Sequence, residues 1–499
     1  MGNETAHKAG DGTIWILPNG PNTKPVLLGC HMLDDIKRPR GDQTLRYCPD
    51  ISAPSKWKAV LSYKGEPGPV TTTITTYVQR VMDVLESLDC PVPLYILKRF
   101  CGRGDTFTNY DRAFALPGTD ITNEGLTQLV AREPGDENAS EQSFDVSAQD
   151  MFRVSGGIKV ARQSIAETAS LNDIAFCNTQ KCEDSCGEAQ AVCDDGFVVG
   201  DYPAGSPAVK SDVWYTNNGG GAWAFDGQPF AAGEDVASAI CFPVGKNTTR
   251  WLVARGTTDA GNPAEVAYSD DGGLTWTNVD VGTVDGQYVV RGNGLFALDQ
   301  YHVWCVTTGG YIYFSDDGGL TWAAQEAGVL TVQNYNAIWF SDASNGMAVG
   351  DVDNVATTGD GGTTWSAGTA TGSGDDLISV YVIDSKKAWV GADEAAGNAT
   401  LYYTTDGATT WAVRTFSGHA TGDVSDVQFV NELIGWMIHN TAAPVGTMFR
   451  TINGGYDWEA WTGPTNAGLN ALWACGPNLA FAVGEASGGT AVILKAYAA

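Results

Sequence analysis

From residue 171 onward the apolar positions fall in short runs rich in β-branched and aromatic residues, among them 336–340 (NAIWF) and 346–350 (GMAVG). Clusters of Gly, Asp and Asn separate the runs, which is the pattern of short strands closed by tight turns. The first 165 residues read differently. Strands are predicted at 57–63 (WKAVLSY) and 70–75 (VTTTIT), joined by the turn-forming KGEPGP, and again at 94–100 and 112–116. Val78, Val81, Met82, Leu85 and Leu88 recur at three- and four-residue spacings, which predicts one helix over 76–89 that Cys90-Pro91 ends. This is the pattern of an α+β, sandwich-like domain flanked by one helix, whose apolar stripe is its core face.

One stretch repeats. SDDGGLTW runs from Ser269 to Trp276 and again from Ser315 to Trp322, and four looser copies share its template of Ser/Thr, then Asp/Asn two residues on, then Trp. The defining residues are Thr216, Asn218 and Trp223; Ser269, Asp271 and Trp276; Ser315, Asp317 and Trp322; Thr358, Asp360 and Trp365; Thr404, Asp406 and Trp411; Thr451, Asn453 and Trp458. The tryptophans lie 53, 46, 43, 46 and 47 residues apart, a period that marks a propeller or another stacked repeat. Four short strands fill that period and leave little room for a helix, so a mostly β fold with a radial array of four-stranded antiparallel sheets is predicted. After the sixth copy come three strand-like runs, 472–474, 479–484 and 491–497, and no seventh octapeptide. The last unit is therefore one strand short, and 157–165 (GIKVARQSI) is placed to supply it. Seven blades are expected, six or eight being the alternatives. The chain then divides into a β-rich domain over 1–156, a linker and closing strand over 157–170, and a propeller over 171–499.

The octapeptide, with its DGG core and terminal Trp, resembles the Asp-box (BNR) repeats of a β-propeller superfamily that includes photosystem II assembly-factor-like proteins, sortilin-type receptors and sialidases. The resemblance covers roughly 171–499. It implies that each octapeptide sits on the hairpin between the third and fourth strands of a blade. Its Ser/Thr hydroxyl and Asp carboxylate would satisfy backbone N–H groups of the turn, glycines would supply positive φ, and the Trp would pack on the neighbouring unit. On this reading the octapeptide is a fastener, not a ligand or calcium site.

Charge narrows the possible partners. There are 58 acidic and 29 basic residues, a formal charge of −29, and residues 200–499 hold 31 of the acids against 10 of the bases. Such a surface repels nucleic acid and anionic membranes. No run of eighteen apolar residues and no signal-like N-terminal stretch occurs, so neither membrane spanning nor secretion by the usual route is expected. Of eleven cysteines, Cys177, Cys182, Cys186 and Cys193 cluster in an insertion of the first unit, 177–193. Two short-range disulfides and reduced thiols fit equally, and the spacing lacks the paired CxxC of a zinc knuckle. No metal or cofactor is expected.

Catalytic motifs are missing: no GxSxG elbow, no Walker loop, no HExxH. Between 200 and 499 stand only Arg250, Arg255, Arg291, Arg414 and Arg450, and no Arg-Ile-Pro precedes the repeats. The three-arginine sialate clamp that a sialidase resemblance would imply is thus not matched, and an enzyme is not expected. A two-carboxylate glycosidase stays open through Asp375 with Asp376 and Asp351 with Asp353. Trp214, Tyr215, Tyr335 and Trp339 are candidates for stacking on pyranose rings, against a plain core reading.

The N-terminal strand, Gly-Glu-Pro-Gly turn, Thr-rich strand and helix, followed by FTNYDRAF at 107–114, are similar to the tail tube and related virion proteins of long-tailed bacteriophages. That resemblance implies a self-assembling ring or tube subunit that partners itself and other virion proteins and passes DNA through an acidic lumen without specific binding. Its propeller would decorate the outside and touch host glycans, and the protein would assemble in the host cytoplasm and reside in the virion, with no membrane partner. The alternative is a carbohydrate-binding or glycoside-cleaving propeller with an accessory N-terminal domain.

Overall fold

Short strands whose residues are apolar on both faces have to be covered on both faces, and a ring of sheets does that by stacking each sheet between two others. A computed structural model describes residues 158–498 except 164, 166–168, 178–192, 202–211, 232–233, 246–247, 257–261, 291, 328–329, 331, 394–399, 415–421, 442–444 and 463–466; before residue 158 it describes nine strands. Blade 1 is built from Leu171–Phe176, Gly196–Gly200, Val213–Thr216 and Ala224–Gly227, paired in that order. Blades 2 to 6 repeat the arrangement, starting at Val236–Gly245, Leu295–Ala297, Tyr335–Phe340, Asp376–Val382 and Asp423–Phe429. Blade 7 takes three strands from the C terminus, Leu469–Gly476, Leu479–Ser487 and Thr490–Ala498. Its fourth is Ile158–Arg162, antiparallel to Thr490–Ala498, with Ile158 opposite Ala498 and Arg162 opposite Leu494. The fold is a mostly β, seven-bladed propeller. Blade 7 has no octapeptide because its third and fourth strands come from opposite ends of the repeat region, so no hairpin joins them.

The first strand of each blade is innermost, and these strands pack side by side from blade 1 round to blade 7 and back to blade 1. A bulge near its start bends the strand: the register shifts between Leu171 and Asp173, between Tyr335 and Ala337, and between Leu469 and Ala471. In these three blades the extra residue is Asn, and its amide crosses to the next blade. Asn172 donates to the Val236 carbonyl at 3.0 Å, Asn336 to Leu377 at 3.0 Å, and Asn470 to Leu171 at 2.8 Å. The last of these closes the ring.

Seven of the nine N-terminal strands form one antiparallel sheet, in the order Val92–Lys98, Gly12–Ile16, Val26–Leu33, Val70–Thr76, Gln142–Ala148, Arg112–Thr122 and Phe152–Ser155. Val92–Lys98 also pairs with Arg112–Thr122, so six of the strands close on themselves. Among the described residues Asp42–Asp50 and Ala53–Lys64 pair only with each other. The two strands read from the sequence on either side of KGEPGP are thus not each other's partners: Val70–Thr76 pairs with Val26–Leu33 and Gln142–Ala148. Thr76, where the helix read over 76–89 would begin, ends the strand Val70–Thr76, and 77–89 lie outside the described residues.

Candidate functional site

The octapeptides adopt one geometry six times, each between the third and fourth strands of its blade. In the copy starting at Ser315, the hydroxyl accepts the Gly319 N–H at 2.7 Å and donates to Asp317 at 2.8 Å, while Asp317 accepts the Thr321 N–H at 2.9 Å. The equivalents of the first bond are Thr216 with Gly220 (3.0 Å), Ser269 with Gly273 (2.8 Å), Thr358 with Gly362 (2.9 Å), Thr404 with Ala408 (3.1 Å) and Thr451 with Gly455 (2.9 Å). Asn218 and Asn453 accept as the aspartates do, from Ala222 and Asp457. The Thr275 hydroxyl and N–H hold the Asp271 carboxyl below its usual range, and the Thr364 N–H and hydroxyl do the same for Asp360. In each copy the hydroxyl and the Asp or Asn side-chain oxygen are engaged within the turn itself. The tryptophans point to the preceding blade: Trp223 packs with blade 7, Trp276 with blade 1, Trp322 with blade 2, Trp365 with blade 3, Trp411 with blade 4 and Trp458 with blade 5.

The four aromatics read as a stacking surface do not come together. Tyr335 is fully buried, and Trp339 lies between Phe296 (ring centroids 4.8 Å apart) and Tyr381 (4.5 Å). In blade 1, Trp214 meets Phe225 edge-on at 6.0 Å, and Tyr215 leans on Trp251 of blade 2 at 5.4 Å. An aromatic within a propeller strand faces a neighbouring sheet, so its ring fills the gap between blades.

The cysteines also differ from expectation. Cys177 is bonded to Cys241 and Cys193 to Cys475, not to one another. Both belong to blade 1, but Cys177 lies in the apolar cluster shared with blade 2 and Cys193 in the one shared with blade 7. Opposite faces of one sheet cannot share a disulfide. Cys182 and Cys186 lie outside the described residues.

The carboxylates named as a possible catalytic set are occupied in shaping loops. Asp353 accepts the N–H groups of Thr371 (2.9 Å), Gly372 (2.6 Å) and Ser373 (3.2 Å). Asp351 accepts from the Asn334 and Asn336 amides, both at 2.8 Å, Asp376 from the Val352 N–H at 2.8 Å, and Asp375 from the Tyr402 hydroxyl at 3.1 Å. Three arginines are similarly held: Arg250 by Asp270 at 2.7 Å, Arg255 by Glu234 and Glu265 at 3.2 Å each, and Arg450 by Glu459 at 3.6 Å.

Two acids absent from the sequence reading occupy the middle of the ring. Asp173 of blade 1 accepts the Ala239 N–H of blade 2 at 2.7 Å, and Asp426 of blade 6 accepts the Leu472 N–H of blade 7 at 2.9 Å. The turn Gly292–Gly294 of blade 3 lies against them: Ser238 donates to the Gly292 carbonyl, and Asn293 donates to Asp426 at 3.2 Å. Burial raises the Asp173 carboxyl well above its ordinary value and pushes Asp426 up to about 7. Both are under a tenth exposed, so they fasten the centre of the ring and are closed to a substrate.

Where the inner strands end, blades 7, 1, 2 and 3 leave a cavity of about 470 Å³. Trp473, Phe176, Phe242 and Leu298 supply apolar wall, and Asp299 and Gln300 stand at its edge. The volume falls within the range of small-molecule sites. Its chemistry is an aromatic surface next to a carboxylate and an amide, with no Lys or Arg among the residues lining it. The only warning in the sequence was Trp473, within the run 472–474. Among the described residues no group of three His, Cys, Asp or Glu side chains is placed to hold a metal ion.

No protein-family model and no curated protein matches the chain. Among solved structures it is similar to "YCF48 bound to D1 peptide", at 16% identity and a TM-score of 0.49 over 68% of this chain and 97% of that one. It is also similar to YCF48 from Cyanidioschyzon merolae (18%, TM-score 0.48, 68% and 98%) and to the GH74 xyloglucanase from Xanthomonas campestris (11%, TM-score 0.48, 66% and 53%). At these identities the likeness extends to the propeller fold alone.

Proposed function

We propose that this chain is a structural virion protein of the long-tailed phage type, self-assembling through its N-terminal region and carrying an Asp-box propeller as an outward module. The observation that carries this reading is the ribbon formed by Asp42–Asp50 and Ala53–Lys64, whose strands pair only with each other among the described residues. A two-stranded ribbon is barely stable alone, and its two open edges are templates for strands of another chain. The partners on this reading are further copies of the chain and other virion proteins. Electron microscopy of the full-length protein across a concentration series, beside a chain beginning at Gly157 that keeps the closing strand, tests it. Rings or tubes from the full-length protein alone support the reading, and monomers from both at high concentration overturn it.

The cavity at Trp473 favours a second role for the propeller, binding of neutral host glycans. A pyranose ring stacks on an indole while carboxylate and amide take its hydroxyls, and the absence of a cationic lining residue disfavours acidic sugars. A glycan array probed with the full-length protein and with Trp473→Ala tests this: neutral-sugar signals lost in the variant support it, and equal signals or none overturn it.

A further inference from the structure

A propeller stays closed only as long as its first and last blades hold together. Here three kinds of contact hold that seam. Phe176 of blade 1 lies 4.6 Å from Phe481 of blade 7, Asn470 reaches the Leu171 carbonyl, and Lys495 donates to the Gly219 carbonyl at 2.5 Å. Within blade 7 the strand Ile158–Arg162 adds the missing edge. Arg162 anchors it by donating to the Thr490 carbonyl at 3.0 Å, the Thr490 hydroxyl at 2.6 Å and the Ala491 carbonyl at 3.0 Å. After ring packing and hydrogen bonds, the third kind of contact is covalent. Cys193 is in blade 1 and Cys475 in the inner strand of blade 7, 282 residues later, and the chain between them passes once round the ring. Their disulfide turns that path into a closed covalent circle.

We propose that the propeller is a redox-latched ring, held by the closing strand and seam contacts when reduced and locked as a covalent circle when Cys193 and Cys475 are oxidised. Disulfides seldom persist in a reducing cytoplasm, so the latch distinguishes the compartment of synthesis from an oxidising exterior. The oxidant is a small-molecule disulfide. The thiolate of one cysteine attacks it and expels one small thiol, and the thiolate of the other then attacks the mixed disulfide and expels the second. Two protein thiols lose their protons and are oxidised, and one small disulfide is reduced to two thiols. The disulfide from Cys177 to Cys241 ties blade 1 to blade 2 in the same way but spans only 64 residues and does not encircle the ring. The inference stands on the connectivity of the propeller and is independent of the virion and glycan readings.

Hydrogen exchange on the full-length protein, equilibrated with either oxidised glutathione or dithiothreitol, tests it. Peptides spanning the seam strands Leu171–Phe176 and Leu469–Gly476 are expected to exchange at least tenfold faster after reduction, while Tyr335–Phe340 in blade 4 keeps its rate and reports that the ring is still folded. Cys475→Ser should show the fast seam in oxidised glutathione. Arg162→Ala should speed seam exchange in the reduced protein and leave the oxidised protein unchanged, because the circle no longer depends on the strand. Equal seam rates in both redox states, or mass mapping that pairs Cys193 with a cysteine other than Cys475, overturn the proposal.

Discussion

Asn293 of blade 3 donates to Asp426 of blade 6 across the centre of the ring, Nδ2 to Oδ1, at 3.2 Å. Blades 3 and 6 are not neighbours, so this bond spans the middle of the propeller instead of stapling adjacent sheets. It places a carboxyl with almost no solvent access next to a second buried acid, Asp173.

That arrangement makes stability depend on pH. The Asp426 carboxyl titrates near 7 in the folded chain, raised chiefly by burial, whereas an unfolded Asp titrates at about 3.9. The folded state therefore holds the proton more tightly. The contribution is complete below about pH 4 and is lost as pH rises toward 7, on the order of a few kcal/mol in all. Asp173 shifts in the same direction. Calorimetry should show the melting temperature falling between about pH 4 and pH 7. Asp426→Asn, in which Asn293 can turn its amide to present oxygen, should flatten that slope. An unchanged slope in the variant counts against Asp426 as its source.

Each octapeptide hydroxyl is the partner of a buried N–H. Ser315→Ala removes the acceptor for Gly319 and strands that donor, which costs about 1–3 kcal/mol. Thr321→Ala also loses a bond, 2.6 Å long, from its hydroxyl to Asp317, but at an exposed position where water replaces it. Its cost should stay within about 0.5 kcal/mol. Urea unfolding of the two variants separates the fastening bond from the ornamental one.

The octapeptides were legible in the sequence because their chemistry is local: hydroxyl, carboxylate and the N–H groups that donate to them all lie within seven residues. The seven blades followed from the period and from the missing last strand. The pairings that depend on ring closure were not legible. Cys193 and Cys475 meet only because blade 7 returns to blade 1, and whether Trp214 and Trp339 belong to the core or to a stacking surface depends on which neighbouring sheets cover them. A second repeat did lie in the text: LNDI, YNAI and LNAL at 171, 335 and 469, with VGD or VGE ending the next strand at Asp201, Asp351 and Glu485. It marks the inner-strand bulge, and Asn172 and Asn336 are each hydrogen-bonded to the acid that follows, Asp201 and Asp351.

The bulge asparagines should therefore matter more than their exposure indicates. Asn336→Ala removes the bond to Leu377 between blades 4 and 5 and one partner of Asp351. A loss of about 1–3 kcal/mol is expected, since a buried carbonyl is left without its donor. Asn336→Asp should be worse, because it sets a carboxylate against that carbonyl and against Asp351. A thermal melt that ranks the two in the reverse order would mean that the amide is not the fastener.

The two identical octapeptides give the sharpest comparison, because any difference between them comes from their surroundings. Gly272 and Gly318 are the same letter of SDDGGLTW and share a left-handed backbone, at φ 73° and 75°. A methyl group on Gly272 would meet nothing within 4 Å, whereas one on Gly318 would lie 2.6 Å from the Gln300 carbonyl and 3.1 Å from the Arg250 guanidinium. Gly272→Ala thus carries only the cost of forcing a side chain into the left-handed region, about 1 kcal/mol. Gly318→Ala carries that cost and must also push back the backbone at Gln300, which borders the Trp473 cavity. Its melting temperature should fall clearly further than that of Gly272→Ala. Equal losses would show that the blade 3 turn has room to move, and that the walls of the cavity are softer than the contacts imply.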